Sequence, residues 1–299
     1  MAVAEARADA DGRPTSSVGP RVRYVGGRIS LYVLAVLFAI FCALPFEVAA
    51  IGSFKTNQDM YRYGNDPFIL NQGGTLDNWT LLFGQTPFIT FLINTAIVGF
   101  CVVAITLGLS LPAAYSLARL NLRFGTTLGI AIFLVYLIPP SLLFVSMSQV
   151  VSTLGLQDSR WSLVVVYPTI TIPVSVWLLM GFFKSIPRDV EEQAMIDGYS
   201  RLGAFVRVLV PLTYPGMVAV IVFAFTLATG EFIYALAFVS TSAQKTVSVG
   251  VPTELIRGDV YYWQSLLGAA VVVAVPIAVV FNLFLRKFIA GFTMGAVKG

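Results

Sequence analysis

Six long apolar runs, separated by short polar segments, organise the chain: about 30–53, 88–118, 127–150, 162–183, 216–240 and 265–288. A helix needs roughly 20 apolar residues to cross the hydrocarbon core of a bilayer, and every run supplies them. None alternates apolar and polar positions as a membrane β-barrel strand does. The pattern predicts an all-α, polytopic membrane protein with six transmembrane helices. The second run ends in "LPAAYSLARL", which extends as a helix into the aqueous phase. Residues 1–28, "MAVAEARADADGRPTSSVGPRVRYVGGR", are small, polar and punctuated by Gly and Pro, and predict a disordered tail. Residues 29–299 then form one transmembrane domain without internal repeats. The segment 54–87, rich in Gly, Asn, Asp and Pro, is too short for a catalytic domain and is placed to cap one mouth of the bundle.

Composition agrees with solvation by lipid. Only 11% of residues are charged and 57% are hydrophobic, against about 25% charged in soluble proteins. The first run exceeds the 7–15 residue core of a signal peptide, and five more follow it, so it reads as a span. There is no His; Cys42 and Cys101 lie far apart in apolar runs and read as packing residues. Zinc, haem and His-based acid–base chemistry are thereby disfavoured, and no metal or other cofactor is expected. Fourteen of the 19 Lys and Arg fall on one side of this topology: Arg7, Arg13, Arg21, Arg23, Arg28, Arg119, Arg123, Lys184, Arg188, Arg201, Arg207, Arg286, Lys287 and Lys298. Lys55, Arg62, Arg160, Lys245 and Arg257 fall on the other. The positive-inside bias puts both termini and the 184–214 loop in the cytosol. It also accounts for the net charge of +4, so no nucleic-acid partner is needed.

The 184–214 loop departs most from the rest of the chain. Its centre, "EEQAMIDGYSRLGAFVRVLVP" at 191–211, gathers Glu191, Glu192, Asp197, Arg201 and Arg207 between two apolar runs. Pro187 ends one helix and suits the first turn of the next. Asp189, Glu191 and Glu192 then lie where a helix dipole favours anions. Asp197-Gly198 is a turn signal. Leu202, Phe205, Val206 and Leu209 recur at i, i+3, i+4 and i+7 as one apolar stripe, and Pro211 and Pro215 end the pattern. The segment predicts a short helix–turn–helix. It is open to three readings: a solvated connector, a helix resting on headgroups, or a knob docking into a partner's groove. The acidic first arm disfavours contact with anionic headgroups.

This stretch resembles the EAA loop of permease subunits in bacterial ABC importers, E-A-A-x-x-x-G followed by I-x-L-P. Glu192, Ala194, Asp197, Gly198, Val208, Val210 and Pro211 occupy the matching positions, while Gln193, Tyr199, Val208 and Val210 depart from the usual residues. Other segments are similar to carbohydrate-type permeases: "LPFEVAAIGSFK" with Pro45, Ser53 and Lys55, "LDNWTLLFGQTPFITFLINTAIV", the 138–187 stretch, and the ending "AGFTMGAVKG", which is close to that of the second permease of maltose-type transporters. The resemblance implies a multi-pass subunit of a bacterial cytoplasmic membrane importer for a sugar or sugar-like solute. It implies pairing with a homologous second permease, a dimeric ATP-binding cassette ATPase and an extracytoplasmic solute-binding protein. It also implies that Glu192, Ala194, Asp197, Gly198, Leu202, Phe205 and Pro211 couple this chain to the ATPase. G-x-x-x-x-G-K-[ST] is absent, so ATP belongs to that partner and this chain is not expected to be an enzyme.

The solute pathway is less marked. Charges within a span are functional candidates because they cost several kcal/mol at mid-membrane. Glu231 matches the family's W-N-E-F segment with Thr229-Gly230 in place of Trp-Asn. Glu231 and Tyr234 either line the translocation cavity or contact a partner permease or an external loop. Asn94 is a polar liner or a helix–helix hydrogen bond. Pro139-Pro140 predicts a kink in the third span. Two alternatives are an ABC permease for a non-sugar solute and an ion-gradient-driven secondary transporter. The latter calls for paired intramembrane ionisable groups or inverted repeats, whereas this chain has isolated acids.

Overall fold

The computed structural model describes residues 20–296 except Asn121 and Asp259, with side chains placed over 28–283. The chain divides into two units, Met1–Val48 and Ala49–Gly299. In the first unit, helix α1 (Pro20–Ser53, whose last turns enter the second unit) begins at Pro20 rather than at residue 29. Residues 20–28 are therefore helix, not tail. Pro20 is suited to a helix start, and the helix runs on through Gly26-Gly27, each of which weakens it by about 1 kcal/mol without ending it. The remainder of the expected tail, 1–19, lies outside the described residues.

The second unit is almost entirely helical. A short α2 (Asn57–Tyr61) and α3 (Asp77–Thr80, continued by a π-turn at Leu81–Gln85) lead into the long α4 (Phe88–Arg119). Then come α5 (Gly125–Val135), α6 (Pro140–Thr153), α7 (Arg160–Val166) and α8 (Pro168–Ser185). The charged loop supplies α9 (Arg188–Ile196), α10 (Arg201–Ala204) and α11 (Val210–Leu212). Finally come α12 (Tyr214–Gly230), α13 (Ile233–Phe238), α14 (Val247–Leu255), the antiparallel pair β1 (Ile256–Arg257) and β2 (Val260–Tyr261), and α15 (Trp263–Ala296).

Among the described residues, four stretches are long and apolar enough to cross a membrane: Arg28–Ser53, Phe88–Arg119, Arg160–Ser185 and Trp263–Leu283. The third apolar run is two helices, α5 and α6, meeting at 91°. What reads as a kink in sequence is a full break, because Pro139 takes an extended conformation (ψ 132°) and Pro140 starts a new helix. The fifth run also divides. The 17-residue α12 stops at Glu231, whose ψ of 128° leaves the helical region, and α13 follows. Residues 201–212 and α12 meet at 72°, so six spans result only if each bent pair counts as one.

Helix α4 runs through all three buried clusters. At its start Phe88 and Phe91 pack with Leu82, Val251 and Leu255. Midway, Val98 and Val102 meet Leu163, Tyr167, Tyr234 and Phe238. At its end, Ala114 and Tyr115 join Leu179, Phe183, Phe205 and Leu209. The α14 approach depends on Gly250, since a Cβ there would stand 2.6 Å from the Phe91 ring.

Polar side chains brace the loops at the opposite end from α9. Lys55 and Asp59, both buried, form an ion pair at 3.8 Å. Asp59 also accepts from Asn65 and Asn71, and Lys55 donates to the Asp66 carbonyl. Burial pushes the Asp59 carboxyl upward, but the Asn71 hydrogen bonds and the Lys55 charge outweigh it and hold the group below its ordinary value. Asp158, in the left-handed region at φ 53°, accepts from the Ser240 and Thr241 backbone N–H groups at 2.7 Å and from the Thr241 hydroxyl. Those bonds, the hydroxyl first, hold its carboxyl below the ordinary range.

Candidate functional site: the 188–213 loop

Helix α9 starts after Pro187 with Asp189 and Glu191 in its first turn, where the unpaired N–H groups favour negative charge. It ends in a Schellman closure: the Gly198 N–H bonds the Met195 carbonyl at 3.2 Å, and the Tyr199 N–H bonds the Ala194 carbonyl at 3.1 Å. The closure needs a residue at positive φ, and Gly198 supplies it at 94°. Ser200 caps the next helix, its Oγ accepting from the Gly203 N–H at 3.2 Å. The predicted helix–turn–helix is present, with its corner at Asp197-Gly198.

The expected single stripe divides. Residues 205–209 form a π-turn, which shifts the register that i, i+3, i+4 spacing assumes. Phe205 and Leu209 turn inward and are 8% and 0% exposed, whereas Leu202 is 70% exposed and Val206 faces outward with it. Ile196, at the corner, is also exposed. The loop thus has an apolar inner face and an outer face combining Glu192, Asp197, Ile196, Leu202 and Val206. Arg207 lies over the Tyr199 ring at 5.7 Å. Ala194 is buried beneath the corner, and Pro211 is exposed where α11 leads to α12.

Two neighbouring glutamates have different fates. Glu192 is exposed. Glu191 is only 8% exposed, and its Oε1 accepts a 2.6 Å hydrogen bond from the Tyr115 hydroxyl of α4. One turn further along α4, Arg119 donates from Nη2 to the Phe183 and Ile186 carbonyls at 2.6 and 2.5 Å, occupying acceptors that the end of α8 leaves open. The Tyr115 ring lies 4.6 Å from that of Phe205 and 5.9 Å from that of Phe183. Glu191, Tyr115 and Arg119 escaped sequence reasoning as a set because their partners lie 64 to 76 positions away. The available signal was "YSLAR", a Tyr and an Arg at i, i+4 on the segment expected to leave the bilayer.

The pathway candidates are structurally engaged. Glu231 accepts from the Tyr167 hydroxyl at 2.9 Å and from the Tyr234 and Ala235 N–H groups, capping α13. Tyr234 is 0% exposed and donates to the Pro140 carbonyl at 2.7 Å, linking α13 to the break between α5 and α6. Asn94 is 1% exposed; its amide donates to the Ala243 and Lys245 carbonyls, and its oxygen accepts from Arg160 at 2.5 Å. Asn94 therefore staples α4 to the loop before α14. Of the three, Glu231 alone is partly accessible.

The chain is a multi-helix domain with stretches long and apolar enough to span a membrane, and it carries a helical loop with a buried and an exposed side. Residues 104–293 match the model of the binding-protein-dependent transport system inner membrane component family, and the chain belongs to that family. It is 31% identical to the inner membrane ABC transporter permease protein YcjP of Escherichia coli over 91% of this chain and 97% of that protein. It is 37% identical to the sulfoquinovosyl glycerol transport system permease protein SmoH of Agrobacterium fabrum over 75% and 79% of the two chains. The trehalose/maltose transport system permease protein MalG of Thermococcus litoralis is 29% identical over 91% and 97%. In fold, the chain is similar to a solved bacterial ABC transporter involved in import of the acidic polysaccharide alginate, with a TM-score of 0.73 and 19% identity over 92% of this chain and 99% of that one. The chain is thus a multi-pass inner-membrane permease subunit.

Proposed function

We propose that this chain forms half of the translocation pathway of a sugar importer, and that its 191–211 loop is where a separate ATPase dimer drives it. Both termini and the loop face the cytosol, a homologous permease completes the pathway, and an extracytoplasmic binding protein delivers the solute. The similarity to permeases named for sulfoquinovosyl glycerol and for trehalose and maltose supports a sugar-like solute. The orientation rests on the bias of Lys and Arg toward one side.

One observation carries the coupling role. The loop is clamped on its inner face by the Tyr115–Glu191 bond and by Phe205 and Leu209, while its outer face presents two acids and three large apolar side chains around the Gly198 corner. A connector with no partner has no reason to be rigid inside and apolar outside. A helical knob that seats in a partner's cleft needs both properties. Glu192 is free to take a charge-assisted hydrogen bond from such a partner.

Gly198→Trp and Glu192→Lys are expected to abolish solute uptake while the protein still inserts in the membrane at wild-type levels. Labelled-solute uptake in cells, normalised to the amount of membrane-inserted chain, reads the outcome. Normal uptake in both variants excludes coupling through this loop. Cysteines placed at Glu192 and Leu202 should crosslink to the ATPase; labelling of these positions only from outside intact cells would reverse the orientation.

A further inference from the structure

Helices α4 and α7–α8 pack in one register and in the same direction. Every fourth residue of α4 from Val98 to Ala114 is 0% exposed, and so is every fourth residue of α7–α8 from Leu163 to Leu179. Such i, i+4 rows are the ridges by which one helix seats on another. An offset of 65 positions relates the two rows: the Thr106 and Thr171 hydroxyls are hydrogen-bonded across it at 2.6 Å. Val98 and Val102 share a cluster with Leu163 and Tyr167, and Ala114 shares one with Leu179, in keeping with that offset.

The same offset sets Ser110 opposite Ser175, yet these two hydroxyls are not joined. Ser175 donates to the Thr171 carbonyl one turn back at 2.7 Å. Ser110 Oγ has no hydrogen-bond partner, an uncommon condition for a buried hydroxyl, and its full burial keeps bulk water from supplying one. Ser175 has committed its one proton but keeps acceptor lone pairs, so Ser110 can donate to it without breaking any bond. One level of the seam is therefore closed, at Thr106–Thr171. The next level, four residues nearer the 188–213 loop, is complementary and open.

We propose that the seam is a two-state latch: Ser110 and Ser175 are apart in the conformation described here and hydrogen-bonded in another conformation of the transport cycle. The latch rests on the reading that a separate ATPase drives this chain. Arg119 fastens the end of α4 to the last carbonyls of α8. Movement delivered to that end reaches the serine level before the threonine level, so the threonine pair acts as the pivot. Shifts of about 1–2 Å between packed helices are enough to exchange side-chain contacts of this kind. With no competing water, the bond favours whichever conformation forms it.

The test uses the assembled transporter in nanodiscs and reads the balance between its conformations. Vanadate with ATP traps the nucleotide-bound state, and retained radiolabelled nucleotide gives the ATP concentration at which half the complexes are trapped. The complexes carry the wild-type chain, Ser110→Ala, Ser175→Ala or both changes. Alanine suits a helix interior, so these chains are expected to fold. Ser110→Ala should move the half-trapping concentration by about two- to tenfold, and the direction tells which state holds the bond. The double variant should move it no further, because both changes act on one contact. No shift in Ser110→Ala means that its hydroxyl has the same surroundings in both states, joined or not, and overturns the latch. Shifts that add in the double variant mean a general loosening of packing and overturn it equally. Crosslinking of Leu202→Cys to the ATPase, scored in the same complexes, reports docking of the loop separately. A complex that crosslinks but shows no shift refutes the latch and leaves the coupling reading standing. A shift without the crosslink supports the latch and places the drive away from this loop.

Discussion

Glu191 and Glu192 are chemically identical neighbours with different surroundings, and burial sets the consequences of changing them. Truncating Glu191 strands the Tyr115 hydroxyl in a closed aromatic cluster, and an unsatisfied buried hydroxyl costs about 1–3 kcal/mol. Glu192 has no such partner to strand. Glu191→Ala should therefore lower the melting temperature of the purified complex, read by intrinsic fluorescence, whereas Glu192→Ala should leave it unchanged and reduce uptake alone. Equal melting temperatures for the two variants would mean that the Tyr115 bond does not hold the loop. Gly198 is constrained differently: its space is open, but a φ of 94° costs any other residue about 1–2 kcal/mol. The resemblance in the sequence pointed to Glu192 and Gly198, which face outward or turn the chain. It was silent on Glu191 because an inward contact is a property of three-dimensional proximity, not of the motif.

At the scale of elements, hydropathy made the apolar runs legible but not their breaks. The runs matching α1, α4, α7–α8 and α15 are long helices as expected. Of the other two, the third bends at Pro139-Pro140 and the helix of the fifth ends at Gly230-Glu231, where the local residues interrupt the helix without lowering the apolar average. The π-turn at 205–209 was invisible for a related reason: periodicity assumes the repeat that a π-turn alters. The loops opposite α9 were readable only as polar. In the structure they are held by carboxylates, and their pH response follows from that. Asp158 has a folded-state value below the ordinary 3.8. Its contribution is thus fully present above pH 4 and is lost as pH falls through the depressed value. Hydrogen exchange at 239–242 should be flat from pH 7 to about pH 4, after correction for the intrinsic rate, and rise below it. Asp158→Asn should raise exchange there already at neutral pH; protection that persists unchanged in the variant would show that the carboxylate does not brace this loop.

Across the second unit as a whole, α4 joins every buried cluster to the base of the loop, which gives the proposed drive a defined route. Pulling on α9 acts on Glu191, through it on Tyr115, and so on the end of α4. Arg119 fastens the same end of α4 to the last carbonyls of α8, so α4 and α8 are loaded together. The buried Thr106–Thr171 hydrogen bond at 2.6 Å ties these two helices again higher up. A softened link should then waste ATP turnover rather than stop it. Tyr115→Phe keeps the ring between Phe183 and Phe205 but removes the hydroxyl, so the loop still docks while its tie to α4 is broken. We expect this variant in reconstituted transporter to hydrolyse ATP near the wild-type rate and to import less solute per ATP, by about two- to tenfold if the lost bond is worth about 0.5–1.5 kcal/mol. Glu191→Gln retains an acceptor for the hydroxyl and should fall between the two. The double variant should be no worse than Tyr115→Phe, because both changes act on one contact. Parallel measurement of solute accumulated and phosphate released decides the matter. An unchanged ratio in Tyr115→Phe would place the route elsewhere, through the Phe205 and Leu209 packing alone.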